Sequence, residues 1–132
     1  MRKAIDVLKR ADPVLADLIE RVGPYRIRYR PPDFEALAKS IVYQQLSGKV
    51  AAVIFERLQA AAGDGRLTAE ATLKLTPARM RALGLSRQKI GYIRDLARHT
   101  QSGAADFAAL SGMKDEEVVR VLTSLKGVGV WT

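Results

Sequence analysis

The chain has 132 residues, no cysteine, one histidine and a formal charge of +8 from 22 Lys+Arg against 14 Asp+Glu. That length suits one domain hiding roughly two-thirds of its unfolded surface, and 48% apolar with 27% charged residues excludes a disordered or collagen-like chain. The absence of cysteine excludes a disulfide scaffold, thiolate-held zinc and a cysteine nucleophile, and the lone His99 excludes a multi-histidine metal site. The longest unbroken apolar run, Val50 to Phe55, falls far short of the roughly 20 residues of a membrane helix. Charges at Asp6, Lys9 and Arg10 leave no signal-peptide core. A cytoplasmic basic protein without a membrane partner is expected, and a polyanion is its first candidate partner.

In chain order the pattern is helical. Asp12-Pro13 reads as an N-cap followed by a first-turn proline. Leu15, Leu18, Ile19 and Val22 form a stripe stopped by Gly23-Pro24. Residues 25–32 read as a loop or short extended piece. Asp33 caps a helix carrying Phe34, Leu37, Ala38, Ile41 and Val42 at three-four spacing, and Ser47-Gly48 punctuates it. A second stripe runs through Val50, Val53, Ile54, Leu58 and Ala61 to a Gly63-Asp64-Gly65 turn. Short capped helices follow after Thr68, Thr76 and Ser86, the last with Ile90, Ile93, Leu96 and Ala97 inside. Asp106 to Leu110 is one turn, and Lys114 to Leu125 is the last full helix, with Asp115, Glu116 and Glu117 in the first turn favoured by the helix dipole. No strand-like alternation and no internal repeat occur, so the fold class is all-α, a single helical domain over residues 1–132.

The positive charge splits evenly between the halves, but Lys74 to Arg98 holds seven basic side chains and one acid, Asp95. Either this is a solvated helix face or it tracks phosphates. Asp95 reads as a partner of the nearby arginines. His99, near the end of its helix, is given no catalytic role.

The segment 122–132 carries the most information. Gly127 and Gly129 bracket Val128, a helix ends before them, and a new helix is expected from Gly129 or Val130. Glycine permits positive φ and close backbone approach to a ligand. Outward amides at the start of the second helix form an anion site. This is the sequence form of a helix-hairpin-helix, which grips a DNA backbone without reading bases. The alternative is an ordinary glycine helix stop.

Four motifs in order carry a family resemblance: Asp12-Pro-Val-Leu, the stretch from Phe34 through Tyr43-Gln44-Gln45-Leu46-Ser47-Gly48 to Ile54, Leu83-Gly-Leu-Ser-Arg-Gln-Lys, and Leu125-Lys-Gly-Val-Gly-Val-Trp-Thr. Together they resemble the alkylpurine DNA glycosylases of the 3-methyladenine DNA glycosylase II type, in the helix-hairpin-helix glycosylase superfamily. The resemblance implies base-excision repair on double-stranded DNA with alkylated bases, by base flipping and hydrolysis of the N-glycosidic bond. It implies a compact multi-helix domain, a monomer, and no cofactor beyond an optional structural monovalent cation. By the same resemblance, Lys126, Gly127, Val128, Gly129, Val130 and Thr132 form the DNA-gripping hairpin. Carbonyls of Thr123, Leu125 and Val128 would meet the cation, and Trp131 stands at the mouth of the base pocket. An indole face suits an alkylated purine, which carries positive charge; a core tryptophan is the alternative. Gln44, Gln45 and Ser47 fall on the DNA side, with Gln45 chosen as the plug for the gap left by a flipped base. The bland alternative for the two glutamines is a helix-end hydrogen-bond pair. Leu85 is a candidate wedge for the opposite strand, or else a core leucine. Tyr43 stands where many relatives have glycine.

The resemblance also implies a catalytic aspartate, and it falls beyond Thr132. A carboxylate must face the positive charge that develops on the sugar, and no side chain in residues 1–132 is expected to replace it. The chain is therefore expected to be a C-terminally truncated portion of such a domain, itself inactive. A lysine at the position of Trp131 marks the superfamily's lyases, so a monofunctional enzyme is implied. The alternative function is a non-catalytic helix-hairpin-helix DNA-binding module.

Overall fold

The stripe of Ile90, Ile93, Leu96 and Ala97 becomes the axis of the molecule. In the computed structural model, which describes residues 2–24, 26, 31–63 and 65–132, all four are buried on one long helix, α7 (Arg87–Gln101). Before it come α1 (Arg2–Ala11), α2 (Pro13–Val22), α3 (Phe34–Tyr43), α4 (Gly48–Ala62), α5 (Ala69–Lys74) and α6 (Pro77–Ala82). After it come α8 (Phe107–Leu110) and α9 (Asp115–Thr123), and no strand occurs among the described residues. Part of the expected 25–32 loop, and Asp64 of the expected turn, lie outside the described residues.

Capping side chains set the starts. The Asp12 carboxylate accepts from the N–H groups of Val14 and Leu15, and Asp33 accepts from Ala36. Hydroxyls of Ser47, Thr68, Thr76 and Ser86 accept from the third residue onward in each case. Each satisfies an orphan donor of a first turn. α1 was not anticipated; its Lys9 ammonium reaches Glu20 of α2 at 3.3 Å, and the two helices pack as a pair.

The core lies where α3, α5 and α6 meet α7 and where α4 meets α3. Ile41, Leu58, Leu67, Met80, Leu85, Ile93 and Leu96 fill it almost without exposure. The Glu35 carboxylate accepts from the Leu67 N–H at 2.6 Å and the Gln59 amide at 3.1 Å, tying the chain before α5 to α3.

Two stripes differ from expectation. On α4 the buried residues are Ala51, Ile54, Phe55 and Leu58, while Val50 and Val53 are exposed. The stripe is rotated because Phe55 carries more apolar area than either valine. On α2, Leu18 and Val22 are exposed and nothing is buried, since α2 packs chiefly on the short α1. The last helix ends at Thr123 rather than Leu125, because Leu125 has turned inward to the core.

Candidate nucleic-acid interface

After α9 the chain doubles back, and Leu125 and Val128 are both buried to pin the reversal. Gly127 sits at φ +83°, the left-handed region that favours glycine. A Cβ there would overlap the Tyr92 ring of α7. Gly127 is thus required twice, by conformation and by contact. Gly129 has no positive φ, and a Cβ on it would meet only the Thr132 hydroxyl at 3.9 Å.

Residues 129–132 form one turn. The Thr132 N–H donates to the Gly129 carbonyl at 3.0 Å, and the Gly129 N–H donates to the Thr132 Oγ1 at 2.9 Å. This reciprocal pair occupies the Gly129 amide that was expected to be free. Among the described residues, the N–H groups of Val130 and Trp131 meet no acceptor, and both residues are exposed. Lys126 is exposed beside them.

The α3–α4 turn sits against this reversal. Gln44 is half-buried, and its side-chain amide donates to the Gly127 carbonyl at 2.8 Å and the Thr132 Oγ1 at 3.2 Å. Gln45 is exposed and holds φ +57°, the one positive φ outside glycine among the described residues. Left-handed backbone costs a side-chain-bearing residue energy unless its surroundings enforce it. Lys89 of α7 supplies enforcement: its ammonium donates to the Val42 carbonyl at 2.6 Å and the Gln44 carbonyl at 2.7 Å. A cation there also meets the negative end of α3. Burial pushes the Lys89 amine below the ordinary lysine range. Ser47 spends its hydroxyl on capping α4.

Between turn and reversal lies an open cleft of about 480 Å³ lined by Ser40, Tyr43, Gln44, Gln45, Trp131 and Thr132. Trp131 is fully exposed, at 100% of its surface, within residues 1–132. The Tyr43 ring carries the Lys39 ammonium 5.3 Å from its centroid, within cation–π range. No carboxylate side chain lines the cleft.

Other expected contacts are placed differently. Leu85 is 1% exposed and belongs to the core, where wedging a strand would empty a packed site. Much of the basic run has partners within the chain. Arg94 donates to the Leu75 carbonyl at 2.6 Å, and Arg81 to the Leu85 carbonyl at 3.1 Å. Lys74 pairs with Glu70 at 2.7 Å. With Lys89 that gives four of the seven cations an intramolecular partner, although Lys74 and Arg81 stay exposed; Arg79, Arg87 and Arg98 are exposed without an ion-pair partner among the described residues. Asp95 faces His99 Nδ1 at 3.6 Å rather than an arginine. The Leu125 carbonyl accepts the Val128 N–H at 3.2 Å, leaving it one lone pair.

Lys89 and Tyr92 were missed as parts of the site. A signal existed for Lys89: it stands at the third position of a helix capped by Ser86, where a cation opposes the dipole and needs another reason to be there. Tyr92, held by the Gln88 amide at 2.6 Å, carried no local signal, because its partner Gly127 is distant in sequence.

The family described as "HhH-GPD superfamily base excision DNA repair protein" matches residues 38–131. The chain belongs to the HhH-GPD superfamily. DNA-3-methyladenine glycosylase 1 of Schizosaccharomyces pombe is 31% identical over 120 residues, covering 89% of this chain and 53% of that protein. Among solved structures, a DNA-3-methyladenine glycosidase from Bacillus halodurans superposes with a TM-score of 0.81 at 35% identity, over 94% of this chain and 57% of the other. The S. pombe 3-methyladenine DNA glycosylase in complex with abasic DNA superposes at 0.86 and 31% identity, over 98% and 65%. The chain thus spans about half the length of the curated relative.

Proposed function

We propose that this chain is the DNA-gripping portion of an alkylpurine DNA glycosylase of base-excision repair, engaging double-stranded DNA at alkylated bases. One observation carries this: the exposed Gln45 and the fully exposed Trp131 line one cleft, and the amides of Trp131 and its neighbour Val130 meet no acceptor among the described residues. The superfamily membership and the relatives' printed activity support the same reading.

In this reading a DNA phosphate docks on the Val130 and Trp131 amides, with exposed Lys126 adding charge. Gln45 enters the duplex and fills the gap that a flipped nucleotide leaves, offsetting part of the unstacking cost. Gln44, committed to the reversal, holds Gly127 in place rather than touching DNA. The flipped base enters the cleft between Tyr43 and Trp131, and a cationic alkylated purine is drawn to the indole face. Carbonyl oxygens of Thr123, Leu125 and Val128 are neutral, hard donors that suit a monovalent cation, which would bring positive charge beside the same phosphate.

The chemical step needs a carboxylate facing the sugar. None lines the cleft, so residues 1–132 alone bind without cutting, as a DNA-binding module does. Two measurements test this. Duplex affinity should fall by roughly one to two orders of magnitude between about 50 and 200 mM salt, as release of a few counterions requires; a flat response contradicts phosphate gripping. Release of 3-methyladenine by the 132-residue chain would contradict the assignment of binding alone.

A further inference from the structure

The plug residue assigned above has an unfavourable backbone, and the structure holds a device that explains it. Gln45 sits at φ +57° with its side chain exposed, so no packing of its own fixes it. The residue before it is held at both ends. Its side-chain amide is bound to the Gly127 carbonyl at 2.8 Å, and its carbonyl receives the Lys89 ammonium at 2.7 Å. The same ammonium bonds the Val42 carbonyl at 2.6 Å, two residues back along α3. Lys89 rises from α7, whose buried face is the centre of the core. One turn further along α7, the Tyr92 ring packs on Gly127. α7 therefore fixes both the turn bearing Gln45 and the reversal bearing the free amides.

We propose that Lys89 is the positioning residue for the plug: by closing on the Val42 and Gln44 carbonyls it holds Gln45 in its left-handed conformation, aimed out of the protein and ready to enter a duplex gap. This rests on the reading of Gln45 as the plug. The carbonyls at the end of a helix otherwise turn to water, and the chain after them is free to relax from positive φ. With Lys89 in place the strained state is already formed before DNA arrives, so its cost is met in folding and not in binding. The effect belongs to gap recognition. Intact duplex engages the reversal and its amides, whereas a duplex with an abasic gap also engages the plug.

The test compares two duplexes of one sequence, intact and with a central tetrahydrofuran abasic site, by fluorescence anisotropy on the 132-residue chain. Wild type should prefer the abasic duplex by roughly tenfold, because no base must be unstacked there. Gln45→Ala and Lys89→Met should each lose most of that preference, and Lys89→Arg, which keeps a charged donor, should retain most of it. Combining Lys89→Met with Gln45→Ala should lose no more than Gln45→Ala alone, since one acts through the other. A merely structural lysine would add its loss to that of Gln45→Ala. Lys89→Gln, read by the same criteria, replaces Lys89→Met if the latter lacks a cooperative melt. If Lys89→Met keeps the preference, or its loss adds fully to that of Gln45→Ala, the positioning role is overturned while the plug stands. If Gln45→Ala or wild type itself shows no change or no preference, the plug assignment falls and the positioning role falls with it.

Discussion

Two glycines separated by one residue do different work. Gly127 combines φ +83° with a ring lying where a Cβ would go, whereas Gly129 has neither constraint. Gly127→Ala should therefore destabilise the protein by about 1–3 kcal/mol through strain and overpacking. Gly129→Ala should stay within about 0.5 kcal/mol of wild type. Urea denaturation of both variants separates them. At Lys89 the pH dependence follows from burial. Its folded-state pKa lies below 10.5, so the unfolded chain holds the extra proton as pH climbs from the folded value toward 10.5. Stability from this group consequently rises with pH across that window, and Lys89→Met removes the rise. Denaturation midpoints of the two proteins over a pH series, each measured against the other, give the sign directly.

At the scale of elements, caps were legible and clamps were not. Asp12, Asp33, Thr68, Thr76 and Ser86 each cap the helix that the sequence assigns to them, because capping is decided within three residues. The stripe on α7 was also legible, since four apolar residues there admit one face. The face of α4 was not, because a run of six apolar residues offers several faces and only tertiary packing chooses Phe55 over Val53. Of the candidate site, the turn at Gly127 was legible from local pattern, whereas Gln45 was singled out only through the family resemblance. The roles of Gln44, Lys89 and Tyr92 were not legible, because each depends on a partner more than thirty residues away. Cations read as surface charge proved to be helix ends' partners. Arg94, bonded to the Leu75 carbonyl beyond α5, is the clearest case. Arg94→Met should cost about 1.5–3 kcal/mol by leaving that carbonyl without its charged donor. Faster hydrogen exchange confined to α5 would locate the loss there; unchanged stability would return Arg94 to the surface reading.

For the whole molecule, α7 is both the centre of the core and the support of the interface. Its inner residues, Ile90, Ile93, Leu96 and Ala97, bind α3, α5 and α6, while Lys89 and Tyr92 reach the two segments that meet DNA in the proposed function. Rigidity of the interface is thus inherited from the core. Of the seven cations between Lys74 and Arg98, Arg81, Lys89 and Arg94 also bond backbone carbonyls and Lys74 pairs with Glu70, so these four fasten the fold as well as carrying charge. In the proposed function the grip on DNA rests above all on two backbone amides, with Lys126 and the exposed arginines adding charge.

That focus makes one variant decisive. Gly129→Asp fits sterically, since a Cβ there meets only the Thr132 hydroxyl at 3.9 Å. It places a negative charge beside the Val130 and Trp131 amides, where a phosphate would dock. Anisotropy titration of duplex DNA at low salt, with thermal melts of the same preparations, reads both sides. An affinity loss of about tenfold or more with an unchanged melt is the predicted result; Gly129→Asp binding duplex DNA as tightly as wild type would contradict a backbone-amide grip.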